Sequence, residues 1–144
     1  MYFDDFEVGY RFETGSKSLS EDEIIAFART YDPQPFHVDR DAAAASIYGG
    51  LIASGFHTLT IAFELILGAD VWNEASMGSP GLDEIRWKKP VRPGDTLRVT
   101  GEVTEVQPSQ SRPDRGRVIF RYDILNQHDE LVAYYYAIQL LKRR

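Results

Sequence analysis

With 144 residues, 43% of them hydrophobic, and a formal net charge of −6, the chain suits a single domain spanning residues 1–144 with a sizeable core. The acidic balance argues against nucleic acid as a partner, because a phosphate backbone calls for a basic face. The absence of cysteine excludes disulfides, thiolate metal sites and cysteine nucleophiles.

Met1-Tyr2-Phe3-Asp4-Asp5 lacks the basic start and apolar run of a signal peptide. A first strand is expected from Tyr10 to Ser18. Ser20 with Glu23 three residues later makes a capping box, and Ile24, Phe27, Ala28 and Tyr31 form an apolar stripe at helical spacing. That helix should stop near Asp32, since Pro33 cannot continue it. Asp32-Pro33-Gln34-Pro35-Phe36-His37 is expected to be stiff and non-helical. Asp39 can cap a short helix running through the alanines toward Ser46, and Gly49-Gly50 then breaks the chain.

Ser54 to Leu67 reads as a helix that is apolar on almost every face, and so as one enclosed by the rest of the fold, with Gly68 as its C-cap. Ser54, His57 and Glu64 make Leu51–Leu67 too polar, as well as too short, for a membrane span, so a cytoplasmic protein is expected. Strands follow. Ile85 and Trp87 alternate with Arg86 and Lys88, and Pro93-Gly94-Asp95 turns the chain. Leu97, Val99 and Val103 share one phase that slips before Val106, the mark of a bulge. Gln107–Gly116 is expected to be a polar loop. Val118, Phe120, Tyr122 and Ile124 alternate cleanly, Asn126–Asp129 turns, and Leu131–Leu141 makes a long last strand. One strand, then helices, then four strands implies an α+β class.

Asp32 and His37 are the most informative pair. A carboxylate and an imidazole can divide the work of general acid and base, and two prolines between them restrain their geometry. Taken alone, the residues favour a turn-capping aspartate and an ordinary surface or core histidine. Gly55, at the start of the apolar helix, has an N–H without an intrahelical partner and sits at the positive end of the dipole. It is either an oxyanion donor or a packing glycine.

Tyr31-Asp32-Pro33-Gln34-Pro35-Phe36-His37-Val38-Asp39 resembles the signature of the MaoC-like dehydratases and (R)-specific enoyl-CoA hydratases. Asp32, Pro35, Phe36 and His37 match that family's pattern; Gln34 stands where asparagine is usual. Gly50-Leu51-Ile52-Ala53-Ser54-Gly55 and Trp87-Lys88-Lys89-Pro90-Val91-Arg92-Pro93-Gly94-Asp95 are similar to further family segments in the same order. The resemblance implies a hot-dog fold, an antiparallel sheet wrapped around a central apolar helix. It implies reversible hydration of 2-enoyl thioesters by Asp32 and His37, with Gly55 N–H on the thioester oxygen and Gln34, Pro35, Phe36 and Ser54 as substrate-binding residues. The substrate would be a coenzyme A or carrier-protein thioester. No metal or other cofactor is expected, and a homodimer or larger homo-oligomer is. The alternatives are a hot-dog thioesterase using Glu64 and a non-catalytic acyl-thioester-binding module. His57 is expected to be a hydrogen-bonded core histidine, His128 an exposed one, and Arg112, Arg115 and Arg117 a solvated basic loop.

Overall fold

In the computed structural model, which describes Met1–Arg144, strands β1 (Arg11–Ser18), β2 (Gly81–Trp87), β3 (Thr96–Pro108), β4 (Arg115–Leu125) and β5 (Leu131–Lys142) accompany helices α1 (Glu21–Tyr31), α2 (Pro35–Val38), α3 (Arg40–Ala44) and α4 (Gly55–Gly68). The strands form one antiparallel sheet in the order β1-β3-β4-β5-β2. Alternation along β4 places Val118, Phe120, Tyr122 and Ile124 on one face, all fully or almost fully buried. They share a core with Leu97, Val99 and Val103 of β3, Val132 and Tyr135 of β5, and Ile61, Ala62 and Ile66 of α4. The α4 helix lies across β1 and β3, so the sheet curls around it in the hot-dog arrangement. The β3–β4 register shifts between Val103 and Glu105, and the extra residue, Thr104, is the expected bulge. Gly101 answers a close approach: a Cβ there would lie 2.5 Å from the Phe12 ring on β1.

The capping box forms as read: Ser20 Oγ accepts from Glu23 N–H at 3.1 Å, and Glu23 accepts from Ser20 N–H at 3.2 Å. The Asp39 cap also forms, taking the N–H groups of Asp41 and Ala42. Elsewhere the sequence expectations need correction. Pro35–Val38 is a single helical turn, because Pro35 occupies its first position, where the missing N–H costs nothing. The expected loop 107–116 is shorter, since β3 runs to Pro108 and β4 starts at Arg115. Gly68 is the last helical residue, and the cap is Ala69 in a right-handed conformation.

The α4 helix is also less enclosed than its composition suggests. Its inner face is buried, but Phe56 (64% exposed), Phe63 (51%) and Leu67 (36%) leave an apolar stripe uncovered by the chain itself. None of the helices is long and apolar enough to cross a membrane. The two ends of the chain meet. Arg143 Nε donates to Asp4 Oδ1 at 2.9 Å, Arg144 N–H donates to Asp4 Oδ2 at 3.1 Å, and the Arg144 guanidinium pairs with Asp5.

Candidate active site

Pro33 stops α1, yet the Asp32 N–H still donates to Ala28 O at 2.8 Å, so the helix end fixes the Asp32 backbone. Pro35 then starts the one-turn α2, which carries His37 back toward Asp32. The His37 ring is buried, and its Nδ1 lies 2.7 Å from Ile52 O. A carbonyl can only accept, so Nδ1 is the donor and Nε2 is turned toward Asp32. Ile52 N–H donates to Phe36 O at 3.2 Å, so the strap before α4 and the α2 turn hold each other. His37 Nε2 stands 3.2 Å from Asp32 Oδ2.

Asp32 is braced from two further sides. Gln34 Nε2 donates to Oδ1 at 2.7 Å, and Ser54 Oγ donates to Oδ2 at 2.7 Å. The longer Gln34 arm therefore still delivers its amide to the carboxylate. Burial alone would raise the Asp32 pKa; the donors from Gln34 and Ser54, with the His37 charge, outweigh it and hold the carboxyl below its ordinary value. Ser54 is wholly buried and spends its hydroxyl on Asp32 and on capping α4 through Phe56 N–H at 3.3 Å. It thus sits beneath the site, away from the substrate-facing position read for it. Pro35 likewise serves as the start of α2 and lies outside the cavity wall.

Asp32, Gln34, Phe36, His37 and Gly55 line one cavity of about 520 Å³. Gly55 opens α4, and its N–H has no hydrogen-bond partner. Such a free N–H at a helix N-terminus is a ready donor to an oxygen that gains negative charge. Its carbonyl accepts from Trp87 Nε1 at 3.0 Å, and a Cβ on Gly55 would lie 2.5 Å from the indole.

Several lining residues were not singled out from the sequence as site residues. Trp87, Lys88 and Lys89 enter from the end of β2, and Tyr48 and Thr58 complete the polar wall. In the sequence, Trp87 and Lys88 read as members of an alternating strand and, with Lys89, of a segment similar to the family's, without a role at the site. The one available signal was a large aromatic beside two lysines at a strand end. Glu64 is outside the cavity; it is exposed and pairs with Lys17 at 3.1 Å. His57 is buried as expected, but it stacks on Phe27 with ring centroids 4.4 Å apart and its Nδ1 has no partner, which corrects the hydrogen-bonded reading. Burial pushes its pKa below the ordinary value, with Glu23 opposing and Lys17 assisting. His128 is exposed. Arg115 and Arg117 line a separate cleft at the β3–β4 loop. Groups of three or more histidine, acidic or cysteine side chains able to hold a metal occur nowhere in the chain.

A carboxylate–imidazole pair and a helix-terminal glycine with a free N–H line one cavity, on a sheet wrapped around that helix in the hot-dog arrangement. The chain belongs to the MaoC-like domain family, whose model matches residues 5–119. It is 40% identical to the structure of a MaoC-like dehydratase from Rhodospirillum rubrum, with a TM-score of 0.93 over 100% of this chain and 98% of that one. It is 32% identical over 117 residues to a 3-hydroxybutyryl-CoA dehydratase of Methylorubrum extorquens, covering 78% of this chain and 69% of the relative. It is 31% identical over 115 residues to an (R)-specific enoyl-CoA hydratase of Rhodospirillum rubrum, covering 76% and 74% respectively.

Proposed function

We propose that this chain is a hydratase that adds water reversibly to 2-enoyl thioesters, giving (R)-3-hydroxyacyl thioesters. The observation that carries the reading is the convergence of Asp32, His37 and the free Gly55 N–H on one cavity. Named relatives with this activity support the substrate class and its stereochemistry.

The chemistry follows from the hydrogen-bond inventory. With its Nδ1–H donated to Ile52 O, His37 acting as a base presents Nε2 beside the carboxylate of Asp32. Two acceptors side by side can take both protons of one water and leave its oxygen lone pairs facing the cavity. That oxygen bonds to C3 of the enoyl thioester while the C2–C3 π electrons move toward the thioester carbonyl. The Gly55 N–H stabilises the resulting enolate-like oxygen. One water proton passes to the Asp32–His37 pair and is returned to C2, so the reaction consumes one water and releases no net proton. Asp32, held ionised by Gln34 and Ser54, orients the water and stabilises a proton on His37. The acid and base roles are assigned to the pair and not divided between its members.

The acyl carrier is coenzyme A or a carrier protein, and the reaction needs no further cofactor. The apolar stripe on α4 belongs in this reading to a homodimer interface near the site. A cytoplasmic location is part of the same proposal. A thioesterase using Glu64 draws no support from the geometry, since that carboxylate lies outside the cavity. The test is a panel of enoyl-CoA substrates followed by loss of the conjugated-thioester absorbance. Hydration without release of free coenzyme A is expected; hydrolysis as the faster reaction overturns the proposal.

A further inference from the structure

Trp87 is bound to the α4 terminus in two ways. Its indole Nε1–H donates to Gly55 O at 3.0 Å. Its ring atoms Cε2, Nε1 and Cζ2 occupy the space where a Gly55 side chain would start, at 2.5 to 2.9 Å from the ideal Cβ position. This is closer than any real Cβ contact, so the indole is what requires glycine at position 55. Trp87 is nevertheless 47% exposed, a poor bargain for a residue whose task is core packing. It stands on the cavity wall, and its backbone is fixed by pairing with Ala133 on β5.

Gly55 is therefore gripped from both flanks. On one side Ser54 ties the helix start to Asp32 through Oγ, and on the other Trp87 ties the Gly55 carbonyl to the sheet. We infer that Trp87 is a positioning residue for the thioester: by holding the Gly55 carbonyl against β2 and filling the space at its Cα, it limits rotation about that Cα, and so aims the free N–H of the preceding peptide at the oxygen that becomes enolate-like. The indole adds no charge and takes no proton. It removes the rotational freedom that a glycine would otherwise keep, and it does so next to the one donor whose direction sets transition-state stabilisation. The inference rests on the proposed role of the Gly55 N–H.

Trp87→Phe keeps an aromatic ring on the wall and removes the indole N–H. Its expected effect on crotonyl-CoA hydration is a kcat lowered roughly tenfold or more, with KM and the pH profile close to wild type. A merely structural role would lower the melting temperature and leave kcat per folded enzyme unchanged. Gly55→Ala should be strongly destabilised, and Trp87→Ala in the same chain should restore much of its melting temperature, because the methyl group then has space. Indole 15N–1H spectra of the wild-type protein give a readout that depends on no variant. The Trp87 N–H should exchange slowly with solvent and shift when butyryl-CoA, which cannot be hydrated, is added. Wild-type kcat in Trp87→Phe, a loss confined to KM, or a Trp87 N–H exchanging as fast as a free indole overturns the inference. If wild-type protein hydrates no enoyl-CoA, the proposed function fails instead, and the exchange rate and the Gly55–Trp87 double substitution still decide whether the clamp exists.

Discussion

Asp32 accepts hydrogen bonds from Gln34 and Ser54 while facing His37 at 3.2 Å, and this crowding of donors sets its protonation. In the proposed mechanism the ionised form does the work, so activity should fall as pH drops through the Asp32 pKa, which lies below the ordinary carboxylate value. Removing a donor raises that pKa, so Ser54→Ala should move the acid limb of the pH–rate profile upward. The same variant loses its cap to Phe56 N–H, at a cost of about 1 kcal/mol by denaturant unfolding. Asp32→Asn keeps the shape and removes the charge; a loss on the order of 10²-fold or more in hydration is expected at unchanged far-UV circular dichroism. His57 makes a different prediction. Its folded pKa lies below its ordinary value because burial without an Nδ1 partner disfavours the imidazolium. The stability this represents is complete above the unfolded pKa of about 6.5 and is lost as pH falls from there toward the folded value. His57→Phe, which can keep the stack on Phe27, should flatten that acid-side decline in thermal unfolding scans.

The α4 helix supplies the free N–H at its first residue and a carboxylate, Glu64, further along its exposed side. Glu64→Gln breaks only an exposed pair with Lys17, so the stability change should stay within about 1 kcal/mol, and hydration should remain within roughly twofold of wild type in the enoyl-CoA assay. A collapse of activity would return the carboxylate to the mechanism. Elements whose partners are local could be read from the sequence. The capping box and the alternation of β4 each depend on residues within one element and form as read, whereas the α1 stripe buries Ile24 and Ala28 but leaves its last member, Tyr31, exposed. The α2 turn was missed because proline was weighed as a breaker, whereas at the first helical position it is a starter. The Asp32–His37 pair was singled out because only four residues, two of them prolines, separate its members, and the resemblance to the family signature gave it a role that spacing alone did not. Trp87, 32 residues from Gly55 in the chain, reaches it only through the pairing of β2 with β5, and no local pattern records that contact. The hydrogen bond from the Ser54 hydroxyl to Asp32 escaped the sequence for the same reason, since it joins groups on separate segments of the chain.

At the scale of the molecule, the helix the sheet wraps around is only half covered. Phe56, Phe63 and Leu67 on α4 and Leu82 on β2 are all exposed large hydrophobic residues, more than a monomer usually leaves in two elements. The homodimer proposed above would cover them. Light scattering should give a dimer mass for the wild type, and Phe63→Asp should shift the population toward monomer with a parallel loss of hydratase activity. A wild-type monomer across working concentrations would leave the stripe without its proposed partner.

The meeting of the two chain ends bears on how the molecule could be rebuilt. Arg143 and Arg144 hold Asp4 and Asp5 directly, so a short flexible peptide would suffice to join residue 144 to residue 1. The loop between Pro108 and Arg115 is exposed, joins two adjacent strands and contributes nothing to the cavity that holds Asp32 and His37. Reopening the joined chain there would yield a circularly permuted protein in which β4 comes first and β3 last, while Asp32, His37, Gly55 and Trp87 stay on one uninterrupted stretch of chain.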